Sequence, residues 1–332
     1  MTKYQWDIQK IRKLRDEIDK NEKIINNAVL YEATKQVYQM LLETYNINKI
    51  CSIEEDPIYE ETEYDFFKYI NMEALNIISE LNIKNLKTKK NLHLNQRIYL
   101  NNDQLIELVR EAIRLIPDKS LNLSFDKYFD PKNHLVNIQH IKYPLDTYGT
   151  TINDFINNIN YINLYRTNSL CDIFSTFHEF FHAHIRSYEK YNYSTSKKVI
   201  YGETEGYFAN FLIYYLINNL NIDENLLLFK IQYDFNCILD NLKLLSIYSK
   251  SLKESCESDI FGDILGSIEH SISYLCGLDL FYMYQNDPEK ALHVLYNIPN
   301  LKGENIKQEL LKNEITFFED NCKNLKKLYK AI

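Results

Sequence analysis

Five consecutive residues, His178-Glu179-Phe180-Phe181-His182, have the types and the spacing to do chemistry. Histidines four apart stand one above the other on a helical face. Both imidazoles can then take the same tetrahedral ion, and zinc is the metal such a pair suits. Glu179, beside the first histidine, can reach a water on that metal and act as a base. The surrounding run reads as a helix, with Asp172 and Ser175 polar near its start and Phe174, Phe177 and Phe181 at core spacing.

A catalytic zinc site takes three protein ligands and leaves one position for water. His184 lies two residues past His182, about 200° around the helix, and points away. His134 and His140 read as surface or core residues. The next long helix opens with Tyr201-Gly202-Glu203-Thr204-Glu205 and offers two carboxylates. Glu203 shares a helical face with Gly206, Tyr207 and Asn210, a small or polar face that suits a cleft. Glu205 shares its face with Phe208, Ala209 and Leu212, which suits packing. Helical phase therefore favours Glu203, with Tyr207 as a substrate-binding candidate on the same face. The expectation is one Zn2+ per chain.

Long helices must hold these residues, and the composition supplies them. Of 332 residues, 45% are hydrophobic and 25% charged, with only 7 Gly and 6 Pro, which favours long helices over a β-sandwich. Amphipathic spacing predicts helices within 4–48, 58–84 and 100–116, the last ending before Pro117. From 168 onward helices are expected at 170–190, 200–220, 223–250, 256–286, 288–297 and 304–331. Between about 118 and 166 the texture changes. Residues 134–143 alternate partly at period two, Tyr161–Tyr165 is a second strand-like run, and Tyr148-Gly149-Thr150-Thr151 reads as a loop between them. The expected fold is mainly α, with a small β-sheet beside the zinc helix. An edge near Gly149 could bind the backbone of an extended peptide.

Composition also excludes classes. A net charge of −8 argues against non-specific nucleic-acid binding. The longest apolar run, Tyr207 to Leu220, is broken by Asn210, Asn218 and Asn219 and is too short and polar for a membrane. The N-terminus lacks the apolar core of a signal peptide. Six scattered cysteines without a C-x-x-C pair suit reduced thiols in a cytoplasmic protein.

Three blocks carry a family resemblance. The first runs from Asn163 through Asp172 into Phe177-His-Glu-Phe-Phe-His182, the second is Glu203 with its following helix, and the third is His270-Ser-Ile-Ser-Tyr274-Leu-Cys-Gly277 followed by Asp287–Tyr296. In this order they resemble the thimet oligopeptidase and oligoendopeptidase F family of zinc peptidases. The resemblance implies a zincin-like, two-lobed helical fold with a deep cleft. It implies residues 119–332 as the catalytic region and 1–118 as a shortened helical N-terminal region. It implies hydrolysis of short peptides, with Tyr274 as an oxyanion donor and His270, one turn earlier, as a second. The chain departs from the family in Phe181, where glycine is usual, in His270 and Ser271, where tyrosines are usual, and in its length. A dedicated protease maturing a precursor or leader peptide, and a non-proteolytic peptide-binding relative, are the alternatives. The sequence carries no reading of oligomeric state.

Overall fold

The computed structural model describes residues 3–20, 41, 99–141, 149–154, 159–188, 203–217, 258–300, 306–316 and 323–331, and all of 230–242 but 232, 233 and 236. The helices expected at 58–84, most of 4–48 and much of 223–250 lie outside these residues. The described fold is mainly α with one three-stranded sheet. Its residues group into two compact units, one drawn from Met1–Glu55 and Gln96–Tyr191, the other from Asn192–Ile332.

In the first unit, α1 (Ile8–Lys20) is followed by α2 (Asn102–Arg114). The Asn101 side chain accepts the Gln104 N–H at 2.9 Å and the Gln104 side chain accepts the Asn101 N–H at 2.8 Å, so two donors that a helix start leaves open are closed reciprocally. Leu105, Ile106, Val109, Ala112 and Ile113 form the buried stripe. Asp118 caps α3 (Lys119–Tyr128) through the Ser120 N–H.

Three strands come next: β1 (Val136–His140), β2 (Gly149–Asp154) and β3 (Ile159–Arg166), in the order β1-β3-β2. β1 runs parallel to β3 and β2 antiparallel to it. The loop expected at 148–151 is overturned at its described residues, because Gly149–Thr151 begin a strand. Thr150, Thr151 and Ile152 are β-branched and pair with Asn163, Ile162 and Tyr161, and it is the pairing that makes them a strand. On the outer side of β1, the Ile138 N–H donates to the Tyr4 carbonyl at 3.3 Å, and the Trp6 indole to the Leu135 carbonyl at 3.2 Å.

Helix α4 (Cys171–Arg186), which carries His178, Glu179 and His182, packs on β2, β3, α2 and α3. Phe180 meets Phe125 edge-on at 5.0 Å between ring centroids. Asn160 Nδ2 and the Tyr128 hydroxyl both donate to the Ala183 carbonyl, at 2.7 and 3.2 Å. The helix start is fixed by Asp172, whose carboxylate accepts the N–H groups of Thr167 and Asn168 at 3.0 and 2.9 Å and pairs with Arg166 Nε at 3.1 Å. Arg166 and Asp172 are both 2% exposed. The other Arg166 nitrogens reach the Leu100 carbonyl at 2.8 Å and the Asn102 side chain. One guanidinium thus joins the start of α2, the end of β3 and the start of α4.

In the second unit, α5 (Thr204–Ile217) lies along α6 (Ser258–Asn286). At Gly277 a Cβ would sit 2.7 Å from the Phe208 backbone nitrogen, so glycine permits the close approach. Then come α7 (Pro288–Asn297), α8 (Ile306–Lys312) and α9 (Lys323–Ala331). Within the single stretch expected at 304–331, the described residues form two helices. Glu314 takes a φ of 60°, and the N–H groups of Ile315 and Glu314 close onto the carbonyls of Leu310 and Leu311 at 3.0 and 2.9 Å. This is a Schellman stop, with Leu310 and Ile315 both fully buried. Asp279 of α6 anchors the chain beyond this stop, accepting the Thr316 N–H at 2.9 Å and the Asn324 amide at 2.7 Å.

Candidate metal centre

The i, i+4 spacing on α4 brings the Nε2 atoms of His178 and His182 to 2.9 Å, with ring centroids 4.6 Å apart. His182 is buried and His178 half-buried. Glu203 stands at the start of α5, where its carbonyl accepts the Tyr207 N–H at 2.9 Å. One ligand atom each from His178, His182 and Glu203 all lie within 4.8 Å of one another. Two imidazole nitrogens and a carboxylate oxygen are a donor set that catalytic zinc takes, with a fourth position to spare, so the residues present fit the ion. Glu205 is buried, as are Phe208, Ala209 and Leu212 on its face.

Arg186 bears on the same ring. Its Nη2 lies 3.3 Å from His182 Nδ1 and its Nη1 3.5 Å from the Thr151 carbonyl. A guanidinium only donates, so this contact asks Nδ1 to accept and puts the ring proton on Nε2. Ligation through Nε2 requires the opposite tautomer. The contact as it stands and ligation of a metal through Nε2 are therefore mutually exclusive.

Glu179 is 7% exposed. The Thr151 hydroxyl lies 2.8 Å from its Oε2 and 2.9 Å from its backbone carbonyl. Gly149, two residues earlier on the same face of β2, lies against the same side chain: a Cβ there would fall 2.6 Å from Glu179 Cγ and 3.0 Å from Oε1. Gly149, the expected substrate-backbone contact, lies beside the Glu179 side chain. Thr151 was not anticipated, because 148–151 read as a loop; strand alternation would have placed residues 149 and 151 on one face.

In the second unit the Tyr207 hydroxyl lies 2.9 Å from His270 Nδ1, and the Tyr207 and Tyr274 rings meet edge-on at 5.3 Å. His270 is exposed and Tyr207 half-buried. Tyr274 is 1% exposed, its hydroxyl has no hydrogen-bond partner among the described residues, and burial pushes its pKa well above the ordinary tyrosine value. His184 packs against Phe180 and Tyr188, and burial lowers its pKa to about 4.

Solved structures share this fold. One is described as an oligoendopeptidase F from Bacillus anthracis strain Ames, with a TM-score of 0.54 and 11% identity over 96% of this chain and 61% of that one. A second oligoendopeptidase F gives 0.53 and 12%, over 95% and 66%. PZ peptidase A with an inhibitor gives 0.50 and 11%, over 85% and 60%. The chain thus spans between 60% and 66% of the length of these structures. No protein-family model matches the chain, and no curated protein does.

Proposed function

We propose that the chain is a cytoplasmic zinc endopeptidase that hydrolyses short peptides, holding one zinc through His178, His182 and Glu203. The observation that carries this reading is the convergence of those three ligand atoms within 4.8 Å, two of them from the helix that also carries Glu179. The peptidase names of the structures sharing the fold support it. When bound, zinc supplies Lewis acidity that makes water nucleophilic near neutral pH and polarises a peptide carbonyl.

The chain's own residues supply the rest. Glu179 Oε2 is held by Thr151, which leaves Oε1 to take a proton from water and pass it to the leaving amine. Tyr274 and His270 are assigned to the oxyanion. A hydroxyl donated by Tyr207 to His270 Nδ1 leaves the ring proton on Nε2, where it can be given to substrate. Tyr207 and the β2 edge at Gly149 are assigned to substrate binding. All of these residues fall within 119–332, the region we assign to catalysis.

Metal analysis of purified protein, with incubation against a mixed peptide library, tests the reading. Wild type and Glu179→Gln should each carry one zinc, and turnover in the variant should fall on the order of 10²–10⁴-fold. A wild type that binds no zinc, or a variant that keeps full turnover, overturns it.

A further inference from the structure

We infer that Thr151 and Gly149 are positioning residues for the Glu179 carboxylate, so that strand β2 sets where the base sits. The inference rests on the reading of Glu179 as the base. Helix α4 fixes the Glu179 Cα, but three side-chain torsions remain between it and the carboxylate. Two features of β2 reduce that freedom. The Thr151 hydroxyl lies 2.8 Å from Oε2, on a β-branched side chain that is stiff at χ1. The missing side chain at Gly149 leaves the space that Glu179 Cγ and Oε1 fill, at 2.6 and 3.0 Å from where a Cβ would stand. Non-bonded carbon atoms do not tolerate 2.6 Å, so an alanine there displaces the glutamate side chain.

Both residues belong to a strand held independently of this contact. Gly149 and Thr151 pair with Leu164 and Ile162 of β3, so loss of the Thr151 hydroxyl leaves the strand registered. That hydroxyl has one hydrogen and two acceptors, the Glu179 carbonyl at 2.9 Å and Oε2 at 2.8 Å. Valine keeps the shape and removes the donor. Serine keeps the donor.

The test uses full-length protein carrying Thr151→Val, Thr151→Ser or Gly149→Ala. Each is read by kcat and KM on a cleaved peptide, by zinc content and by crystal structure. Thr151→Val should lower kcat about 10- to 100-fold, the scale of a misplaced catalytic group, with KM and zinc content unchanged. Thr151→Ser should recover most of that loss, and Gly149→Ala should show it without touching the hydroxyl. In a Glu179→Gln background Thr151→Val should cost nothing further. The crystal structures of Thr151→Val and Gly149→Ala should show the carboxylate displaced. An unmoved carboxylate, an unchanged kcat in an active enzyme, or a serine variant as slow as the valine one overturns the inference and leaves the peptidase reading standing. A wild type that cleaves no peptide removes the peptidase reading, and this inference with it.

Discussion

At the scale of single residues, Arg186 and the proposed zinc would compete for the His182 ring. Removing the guanidinium frees His182 to take the ligating tautomer and removes a positive charge beside the site. Arg186→Gln should therefore bind zinc about tenfold more tightly, the scale of changes among groups that orient a ligand. Competition against a chromophoric chelator reads it, and weaker binding would show that Arg186 supports the site instead. The two acidic candidates separate in the same assay: Glu203→Ala should lose zinc and Glu205→Ala should keep it. Tyr274→Phe should lower kcat by ~10²–10³-fold with zinc content unchanged. It should cost no thermal stability, since the buried hydroxyl has no partner among the described residues to lose. A Tyr274→Phe enzyme with full kcat would return this residue to packing.

At the scale of elements, the start of α4 depends on a buried ion pair. Asp172→Ala leaves Arg166 charged and enclosed and opens two backbone donors, and should destabilise by about 3 kcal/mol or more, seen as a lowered Tm. At the end of α8, Glu314 occupies the left-handed position that suits glycine, so Glu314→Gly should stabilise by about 1 kcal/mol. The exposed pairing of Glu314 with Lys290 is worth little against that, and a Tm that falls would contradict the assignment. The same elements show what was legible in the sequence. Helix α4 and its histidines were readable because the 3.6-residue period and the i, i+4 pair are local properties. Strand β2 was not, since Gly149-Thr150-Thr151 has weak alternation and becomes a strand through β3. The break between α8 and α9 was hidden for the same kind of reason: Ile315 and Asp279 impose it, and neither is adjacent to a proline or glycine. The roles of Arg166 and Thr151 were likewise invisible because their partners lie elsewhere in the fold.

At the scale of the whole molecule, metal and fold are linked. The three candidate ligand atoms converge only in the folded chain, so the proposed zinc would bind the native state and not the unfolded one. Such a ligand stabilises by about 2.7 kcal/mol when present at a hundred times its dissociation constant. Thermal unfolding with a chelator should give a lower Tm, restored by added zinc. The His182→Ala protein should show no such difference. Among the described residues no helix is long and apolar enough to cross a membrane.

The joint made by Arg166 constrains how this sequence can drift. Only seven of its 38 basic residues are arginine, and none follows Arg186. Lysine is the usual spelling of positive charge in this chain. Position 166 is closed to that spelling, because one ammonium cannot point at once toward Asp172, Asn102 and the Leu100 carbonyl. The five-residue motif therefore has a longer form: an arginine, an aspartate six residues on, and the first histidine six residues after that. A search for distant relatives with the longer pattern rejects chance matches that five residues alone admit.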